Sequence, residues 1–172
     1  MTYPLYIVTG APGAGKSSAV KAFVGLAKEY IAFDIDWLAV PASNLCGKDI
    51  FTDASTWPAY NQLWFEVLRC VYRNGLTPVL FAPISPEDVG EEDLPRWCRG
   101  VEWALLDCDD ATRRRRLTER PDWDDTMIAY AMEDAGLLRR AVSRRINTAL
   151  KDPAAVAEEI LRWLEQSRAK VF

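Results

Sequence analysis

Short runs of apolar residues alternate along this chain with longer segments in which apolar residues recur every third or fourth position. The short runs are rich in β-branched and aromatic residues, which is typical of buried strands. The longer segments have the period of amphipathic helices. The pattern predicts five strands, at residues 3–9, 31–33, 77–82, 101–106 and 145–148.

Helices are predicted between and after these strands. The first should follow the glycine-rich segment at 10–17 and run to about Tyr30, with Val20, Phe23, Val24 and Ala27 on one face. A second helix is expected at 60–72, and a short one begins at Ser85. A fourth helix is expected to be capped by Asp109 and to contain Arg113–Arg116. A fifth is expected from a cap at Asp122 or Asp124 to about Arg140, and a last one begins at Asp152. Residues 38–58, which contain Pro41, Gly47 and Pro58, are expected to be irregular.

Strands that alternate with helices are typical of a parallel sheet covered on both faces. The sequence has no internal repeat and no linker-like segment, so we expect one α/β domain over residues 1–172. The chain has 172 residues, of which 49% are hydrophobic and 27% charged. This composition is that of an ordinary globular domain and excludes a disordered or low-complexity chain.

The net charge of −4 provides no basic field, so a nucleic-acid partner is not expected. No apolar stretch approaches the roughly 20 residues of a membrane-spanning helix. The first ten residues lack the basic start and the apolar length of a signal peptide. We therefore expect a cytoplasmic protein, monomeric or homodimeric, that does not bind a membrane.

The chain contains no histidine, which excludes a histidine triad, a histidine metal site and a histidine proton shuttle. Any general base must be another side chain, such as a carboxylate. The four cysteines (Cys46, Cys70, Cys98 and Cys108) have no CxxC spacing, so neither a zinc site nor a redox motif is predicted.

A glycine-rich octapeptide stands between the first predicted strand and the first predicted helix: Gly10, Ala11, Pro12, Gly13, Ala14, Gly15, Lys16 and Ser17. It fits the pattern GxxxxGK[ST] at every fixed position, in the strand–loop–helix context that the pattern requires. Glycines let the backbone turn its amides inward around phosphate oxygens, and the helix dipole favours the same anion. The sequence predicts a nucleoside-triphosphate site at 10–17 and Ser18, with Lys16 on the β- and γ-phosphates and Ser17 as a Mg²⁺ ligand.

Two acids follow the second predicted strand. Asp34 and Asp36 are two residues apart on an extended segment, so both side chains can project to the same side. They stand at the carboxyl edge of the sheet, where open α/β sheets bind ligands. The alternative is that one of them only caps the following segment.

Arginines cluster farther along the chain. Arg116 and Arg120 are spaced i, i+4 and are expected to share a helix face, whereas all of Arg113–Arg116 cannot. Pairing at the surface with Glu119 or Asp124 is the alternative. Arg139 or Arg140 is a further candidate to reach the phosphates.

The order of these features resembles a known family. A GTPase would carry an Asn-Lys-x-Asp motif, which is missing, and an AAA-type ATPase needs a longer chain for its helical lid. The phosphate loop, the segment Phe33–Asp36 and the segment Arg116–Arg120 together resemble the small P-loop kinases of the adenylate-kinase-like group. Shikimate kinase, gluconate kinase and chloramphenicol phosphotransferase are examples. Residues 32–38 are most similar to the last of these, whose single acid there corresponds to Asp36.

The resemblance implies a five-stranded sheet of order 2-3-1-4-5, a short lid at about 117–127, and ATP as phosphoryl donor with Mg²⁺. It implies that Asp36 activates the acceptor hydroxyl while Asp34 supports Mg²⁺. Arg116 would pack on adenine, and Arg120 would reach the transferring phosphate as the lid closes. The expected catalytic residues are thus Asp36, Lys16 and Arg120.

The segment Trp103–Asp107 (WALLD) matches a loose Walker B pattern. The expected neighbour of the first strand is instead 77–82, which ends at Ala82-Pro83 without an acid. We therefore expect Asp107 to lie in a turn or helix cap, which leaves more of the metal binding to Asp34.

The acceptor should lie between Asp36, the segment 38–58 and the helix from Tyr60. Lys48 is the only basic residue between Trp37 and Leu68, which disfavours a phosphorylated acceptor. Trp37, Trp57 and Tyr60 are candidate contacts. The alternative for Tyr60 is a place in the core, where Trp64 is expected. The sequence thus predicts an ATP-dependent kinase of a small hydroxyl compound, such as a nucleoside, a sugar or an antibiotic. The alternatives are a nucleoside-monophosphate kinase and a P-loop protein that binds ATP without transferring phosphate.

Overall fold

The computed structural model describes residues 2–26, 28–90, 92 and 94–169 of the chain. Five strands form one sheet: β1 (Tyr3–Thr9), β2 (Tyr30–Asp34), β3 (Thr77–Phe81), β4 (Cys98–Asp107) and β5 (Arg145–Asn147). Their order is β2-β3-β1-β4-β5, and every pairing is parallel. The predicted fold class and strand order are confirmed.

Six α-helices accompany the strands in the described residues: α1 (Lys16–Phe23), α2 (Ala39–Cys46), α3 (Trp57–Arg73), α4 (Asp110–Thr118), α5 (Asp125–Ala141) and α6 (Pro153–Ala169). Apolar residues of α1 and α6 pack on one face of the sheet, around Val8 and Phe81. Residues of α3 pack on the opposite face around Ile7 and Leu80, and α5 packs beside them on Leu105. Both faces of the sheet are therefore buried, as a parallel sheet requires.

The segment 38–58 is irregular only in part, so this prediction is wrong for the helical residues and holds for residues 47–53, which lie in turns. Ile35–Leu38 forms a 3-10 turn that continues directly into α2. Pro41 is the third residue of α2, where the missing amide has no partner within the helix in any case. Gly47 ends the helix with a φ of 71°. Ala39 is the only buried residue of α2, so the helix lacks the apolar stripe from which sequence reasoning recognises one.

Other boundaries differ in smaller ways. The first helix ends at Phe23 rather than near Tyr30, because Val24 leaves the helical region and Gly25 has a φ of 84°. Ala27, which was predicted to continue that helix, lies outside the described residues. The caps at Asp109 and Asp124 are confirmed, since each carboxylate accepts an amide hydrogen bond of 2.8 Å. The helix predicted at Ser85 is a 3-10 turn, Pro86–Asp88.

Candidate active site

Residues 10–15 join β1 to α1 at the carboxyl edge of the sheet. Gly13 and Gly15 have φ values of 80° and 92°, a region that residues with a Cβ rarely enter. A Cβ on Gly10 would meet the backbone oxygen of Leu106 at 2.7 Å, so a glycine is needed where the loop lies against β4. Exposed Ser17 and Ser18 occupy the first turn of α1. This is the geometry of an anion-binding loop that opens a helix.

The carbonyl groups of this loop are bound by side chains that lie more than 100 positions later in the chain. Three consecutive carbonyl oxygens accept hydrogen bonds there: Pro12 from Arg113 Nη1 at 2.6 Å, Gly13 from Arg116 Nη1 at 3.1 Å, and Ala14 from Thr148 Oγ1 at 2.8 Å. The donors come from α4 and from the residue after β5. Sequence reasoning placed Thr148 at the end of the fifth strand and missed its contact with the loop.

Lys16 turns its ammonium back over the loop. The Nζ atom donates to the carbonyl of Gly10 and approaches that of Ala11 at 3.4 Å. Burial lowers the pKa of Lys16 to about 8, although the charges of Asp134, Asp34 and Asp36 act in the opposite direction. The predicted phosphate-binding lysine and both predicted acids are therefore within electrostatic range of one another.

The sheet register places the two acids across from the loop. Asp34 is in register with Phe81, which is in register with Val8, so Asp34 stands two strand spacings, about 10 Å, from β1. Its side chain is buried, and Oδ1 accepts the amide of Asp36 at 3.1 Å. Asp36 is exposed. Partial desolvation raises the pKa of Asp36, the charge of Asp34 adds to this effect, and Lys16 opposes it.

Asp34 thus caps the 3-10 turn, as the alternative interpretation of the two acids predicted. The same hydrogen bond fixes the backbone of Asp36, because the Asp36 amide is its donor. The carbonyl between the two acids is also fixed: the Tyr60 hydroxyl donates to the oxygen of Ile35, and Trp64 Nε1 lies 3.2 Å from the same atom. Both rings are buried, as expected for Trp64. The peptide that carries Asp36 is therefore held on both sides.

Two of the predicted acceptor contacts offer ring surface to solvent. Trp37 is 48% exposed and Trp57 is 50% exposed, with Trp57 Nε1 bonded to the carbonyl of Ile50 at 2.9 Å. Tyr60 is only 6% exposed, and its hydroxyl binds the Ile35 carbonyl of the 3-10 turn from the protein interior. Lys48 bonds to Ser55 at 3.0 Å on this side of the molecule.

The arginines of α4 differ in burial and in their partners. Arg113 is fully buried, and Arg116 also donates to the Thr148 carbonyl at 2.8 Å. The helix ends at Thr118, so the prediction that Arg120 shares a helix face with Arg116 is wrong. The Arg120 guanidinium instead lies 5.3 Å from the ring centre of Trp123, within the predicted lid region. The roles predicted for Arg116 on adenine and for Arg120 on the transferring phosphate stay predictions.

Asp107 ends β4 and binds two arginines rather than capping a helix. Arg113 Nη2 lies 2.6 Å from one carboxylate oxygen, and Arg139 Nε lies 2.7 Å from the other. Burial would raise the pKa of Asp107, but the hydrogen bond and charge of Arg139, together with the charge of Arg113, lower it below its ordinary value. Arg139 also binds Asp110 at 2.8 Å. Arg139 is thus engaged with two acids, and Arg140 is exposed at the end of α5. A phosphate contact by either arginine stays a prediction.

Asp134 is an acid near Lys16 that the sequence did not single out. It lies on α5 and is half-buried. Desolvation raises the pKa of Asp134, the charges of Lys16 and Arg113 lower it, and Asp88 adds to the rise. An acid between buried Ala131 and Ala135 looks like an ordinary polar helix position, so periodicity carries no signal for it.

Residues 2–26, 28–90, 92 and 94–169 contain no group of three or more acidic or cysteine side chains able to hold a metal by themselves. None of the helices in those ranges combines the length and apolar character needed to cross a bilayer.

At the level of sequence, no family model and no curated protein matches the chain. Solved structures do. The tunicamycin resistance protein of Deinococcus radiodurans matches with a TM-score of 0.66 and 17% identity, over 94% of this chain and 95% of that one. A sugar kinase from Janibacter sp. HTCC2649 matches with a TM-score of 0.64 and 16% identity, over 96% and 95%.

The shikimate kinase of Acinetobacter baumannii, in complex with shikimate, matches with a TM-score of 0.61 and 16% identity, over 96% of this chain and 95% of that one. These likenesses extend over nearly the whole length of each protein. The chain therefore has the fold of the small P-loop kinases, as the resemblance in its sequence implied.

Proposed function

We propose that this chain is an ATP-dependent phosphotransferase that moves the γ-phosphate of ATP to a hydroxyl group of a small, unphosphorylated acceptor. The observation that carries the proposal is the arrangement of Lys16, Asp34 and Asp36 around a glycine-rich loop at one sheet edge. The kinase fold supports the same reading. Donor and acceptor would meet above the carboxyl ends of β1, β2 and β3, where α/β sheets of this type bind ligands.

The loop and Lys16 bind the triphosphate. The amides of the loop and of the first turn of α1 surround the phosphate oxygens, and Lys16 adds a full positive charge near the β- and γ-phosphates. In the free protein the ammonium uses the carbonyls of Gly10 and Ala11 as temporary acceptors. Phosphate oxygens are stronger partners for an ammonium than neutral carbonyls, so the triphosphate displaces these bonds.

Mg²⁺ is expected to be held by Ser17 and Asp34, directly or through water. Asp34 uses Oδ1 on the Asp36 amide, and no described residue donates to Oδ2. This donor set suits Mg²⁺, which proteins usually bind through one or two carboxylates together with substrate phosphates. When bound, the ion neutralises the negative charge on the phosphates.

Asp36 serves as the general base. Its carboxylate takes the proton of the acceptor hydroxyl while that oxygen bonds to the γ-phosphorus and the bond from phosphorus to the bridging oxygen of ADP breaks. A raised pKa makes the carboxylate a better proton acceptor, provided that it stays ionised at neutral pH. Its exposure leaves the carboxylate accessible to an acceptor.

The acceptor is a neutral or cationic hydroxyl compound rather than a nucleoside monophosphate. The acids near Lys16 include Asp34, Asp36 and Asp134, which would repel an acceptor phosphate. Lys48 is the only basic residue in the segment from Trp37 to Leu68, and it is paired with Asp53 at 3.6 Å. Trp37 and Trp57 offer ring surface for an apolar or sugar face.

The test is a screen for acceptor-dependent ADP release with Mg²⁺ and ATP. The panel contains nucleosides, sugars, aminoglycosides and amphenicols, with nucleoside monophosphates as a separate arm. A true acceptor should raise ADP release above background hydrolysis and gain the mass of one phosphoryl group, whereas Lys16→Ala should show neither effect. Activity on monophosphates alone would replace the proposed acceptor class, and binding of ATP without any acceptor-dependent turnover would contradict phosphotransfer.

A further inference from the structure

We infer that Thr148, together with Arg113 and Arg116, positions the amides of the phosphate loop by holding its carbonyls from outside. The inference rests on the proposed function, because it concerns how tightly the loop binds a triphosphate. The three residues touch the carbonyls of Pro12, Gly13 and Ala14. They are positioning residues in this role, since they act on the anion through the loop backbone.

The geometry of the peptide group links the two sides of the loop. In a trans peptide, the carbonyl of one residue and the amide of the next point in opposite directions. The described residues contain no cis peptide bond. A donor that fixes the Pro12 carbonyl outward therefore turns the Gly13 amide inward, and the hydroxyl of Thr148 on Ala14 does the same for the amide of Gly15.

The two amides set in this way are available to a ligand. Within the described residues, neither the Gly13 amide nor the Gly15 amide donates a hydrogen bond, whereas the Ala14 amide is engaged with the Ala11 carbonyl at 3.1 Å. Amides that are already aimed at the anion need no rearrangement on binding, and this is the main advantage of a preorganised site.

The three side chains that bind the loop carbonyls are themselves held by further contacts. Arg113 has a side-chain exposure of 1% and is paired with Asp107. The amide of Thr148 bonds to the Asp107 carbonyl at 2.7 Å, and its hydroxyl lies 3.1 Å from Arg116 Nη1. A Cβ on Gly13 would meet Arg113 Cγ at 3.2 Å, so α4 also packs directly on the loop. The loop therefore packs on side chains whose positions are fixed by their own hydrogen bonds and ion pairs.

The specific expectation concerns the Thr148 hydroxyl. Without it the peptide between Ala14 and Gly15 loses its outer restraint, and the amide is no longer fixed toward the phosphates. Affinity for the triphosphate should fall by about tenfold, the order of one net hydrogen bond. The KM for the acceptor should not change, because no part of the acceptor side touches Thr148.

The experiment compares Thr148→Val, which keeps the shape and loses the hydroxyl, with Thr148→Ser, which keeps the hydroxyl. Titration calorimetry measures the affinity for Mg²⁺-ATP and for inorganic tripolyphosphate, which has no adenine. Thr148→Val should bind both about tenfold more weakly, and Thr148→Ser should restore wild-type affinity. Thr56→Val is the matched control, because the Thr56 hydroxyl also donates to a backbone carbonyl, at 2.7 Å, but that carbonyl belongs to Asp53 and not to the loop.

Arg116→Lys is a second variant in case Thr148→Val does not fold. It keeps the charge but loses the two-pronged contact with Gly13 and Thr148, so weaker binding of tripolyphosphate is again expected. Equal affinity of wild type and Thr148→Val, or equal losses in the Val and Ser variants, would overturn the inference while leaving the proposed function intact. A wild-type protein that binds neither ATP nor tripolyphosphate would overturn both.

Discussion

The carboxylate of Asp34 accepts the backbone amide of Asp36 at 3.1 Å, so the first acid of the pair fixes the backbone from which the second projects. The two predicted readings of these acids, a cap and a functional pair, are therefore compatible. A buried cap at the end of β2 leaves the Asp36 carboxylate exposed at the sheet edge. Asp34 therefore fixes the backbone, and the carboxylate of Asp36 stays free to react.

Asp36→Asn should lower kcat by about 10²- to 10⁴-fold, because the amide cannot take the proton of the acceptor hydroxyl. Affinity for Mg²⁺-ATP should stay close to that of the wild type. Steady-state ADP release and titration calorimetry measure the two quantities separately. Retained turnover in this variant would show that another group acts as the base.

Tyr60→Phe should reduce kcat with little effect on the KM for ATP. The lost hydroxyl bonds to the carbonyl of Ile35, whose peptide carries the amide of Asp36. The free energy of unfolding should fall by about 1 kcal/mol, the net contribution of one hydrogen bond. Urea denaturation and initial rates are the measurements, and Tyr130→Phe, on an exposed ring of α5, is the control.

Affinity for ATP should fall as the pH rises above about 8, since burial lowers the pKa of Lys16 to that value. The bound triphosphate favours the protonated ammonium, so binding above this pH requires the uptake of a proton. The loss should approach about tenfold per pH unit, because one pKa unit corresponds to a factor of ten. Calorimetry between pH 7.5 and about 9.5 covers a range in which the terminal phosphate, with a pKa near 6, stays ionised.

Lys16→Arg is the control for this pH dependence, because a guanidinium stays protonated over the whole range. Its affinity, although lower at neutral pH, should be nearly independent of pH. A wild-type affinity that does not change between pH 7.5 and about 9.5 would mean that the pKa of Lys16 lies outside this window.

Asp107→Asn should lower the free energy of unfolding by about 3–5 kcal/mol, because it leaves the buried Arg113 cation without its counter-ion. The two side chains are 1% and 15% exposed. Asp53→Asn is the comparison, since the Lys48–Asp53 pair is 3.6 Å long and exposed, and asparagine retains the cap on Ser55. Urea denaturation of that variant should show little change. Similar losses in the two variants would contradict a structural role for Asp107.

The sheet was largely predictable from sequence because buried parallel strands leave continuous apolar runs, as in β1 and β3. The second helix was not, because α2 buries only Ala39 and contains a proline. The helix continues the preceding 3-10 turn, and the Ser43 hydroxyl accepts the Ile50 amide at 2.9 Å. Neither contact follows from hydrophobic periodicity.

The candidate site was recognisable from sequence where its residues are close together in the chain. The loop residues around Lys16 and the acids at the end of β2 lie in short contiguous segments with a recognisable pattern. Thr148 and Asp134 carry no such pattern, because their importance arises only when distant segments meet. Asp107 was misjudged for the same reason, since its partners Arg113 and Arg139 come from two different helices.

The outer bonds of the phosphate loop span 101 to 134 positions of the chain. The octapeptide alone therefore does not carry everything that fixes its conformation. Grafted into another strand–loop–helix unit, it would keep its glycines and its lysine but lose the side chains that bind its carbonyls. The loop also precedes all three of its outer donors in the sequence, so it is synthesised before the residues that hold its carbonyls.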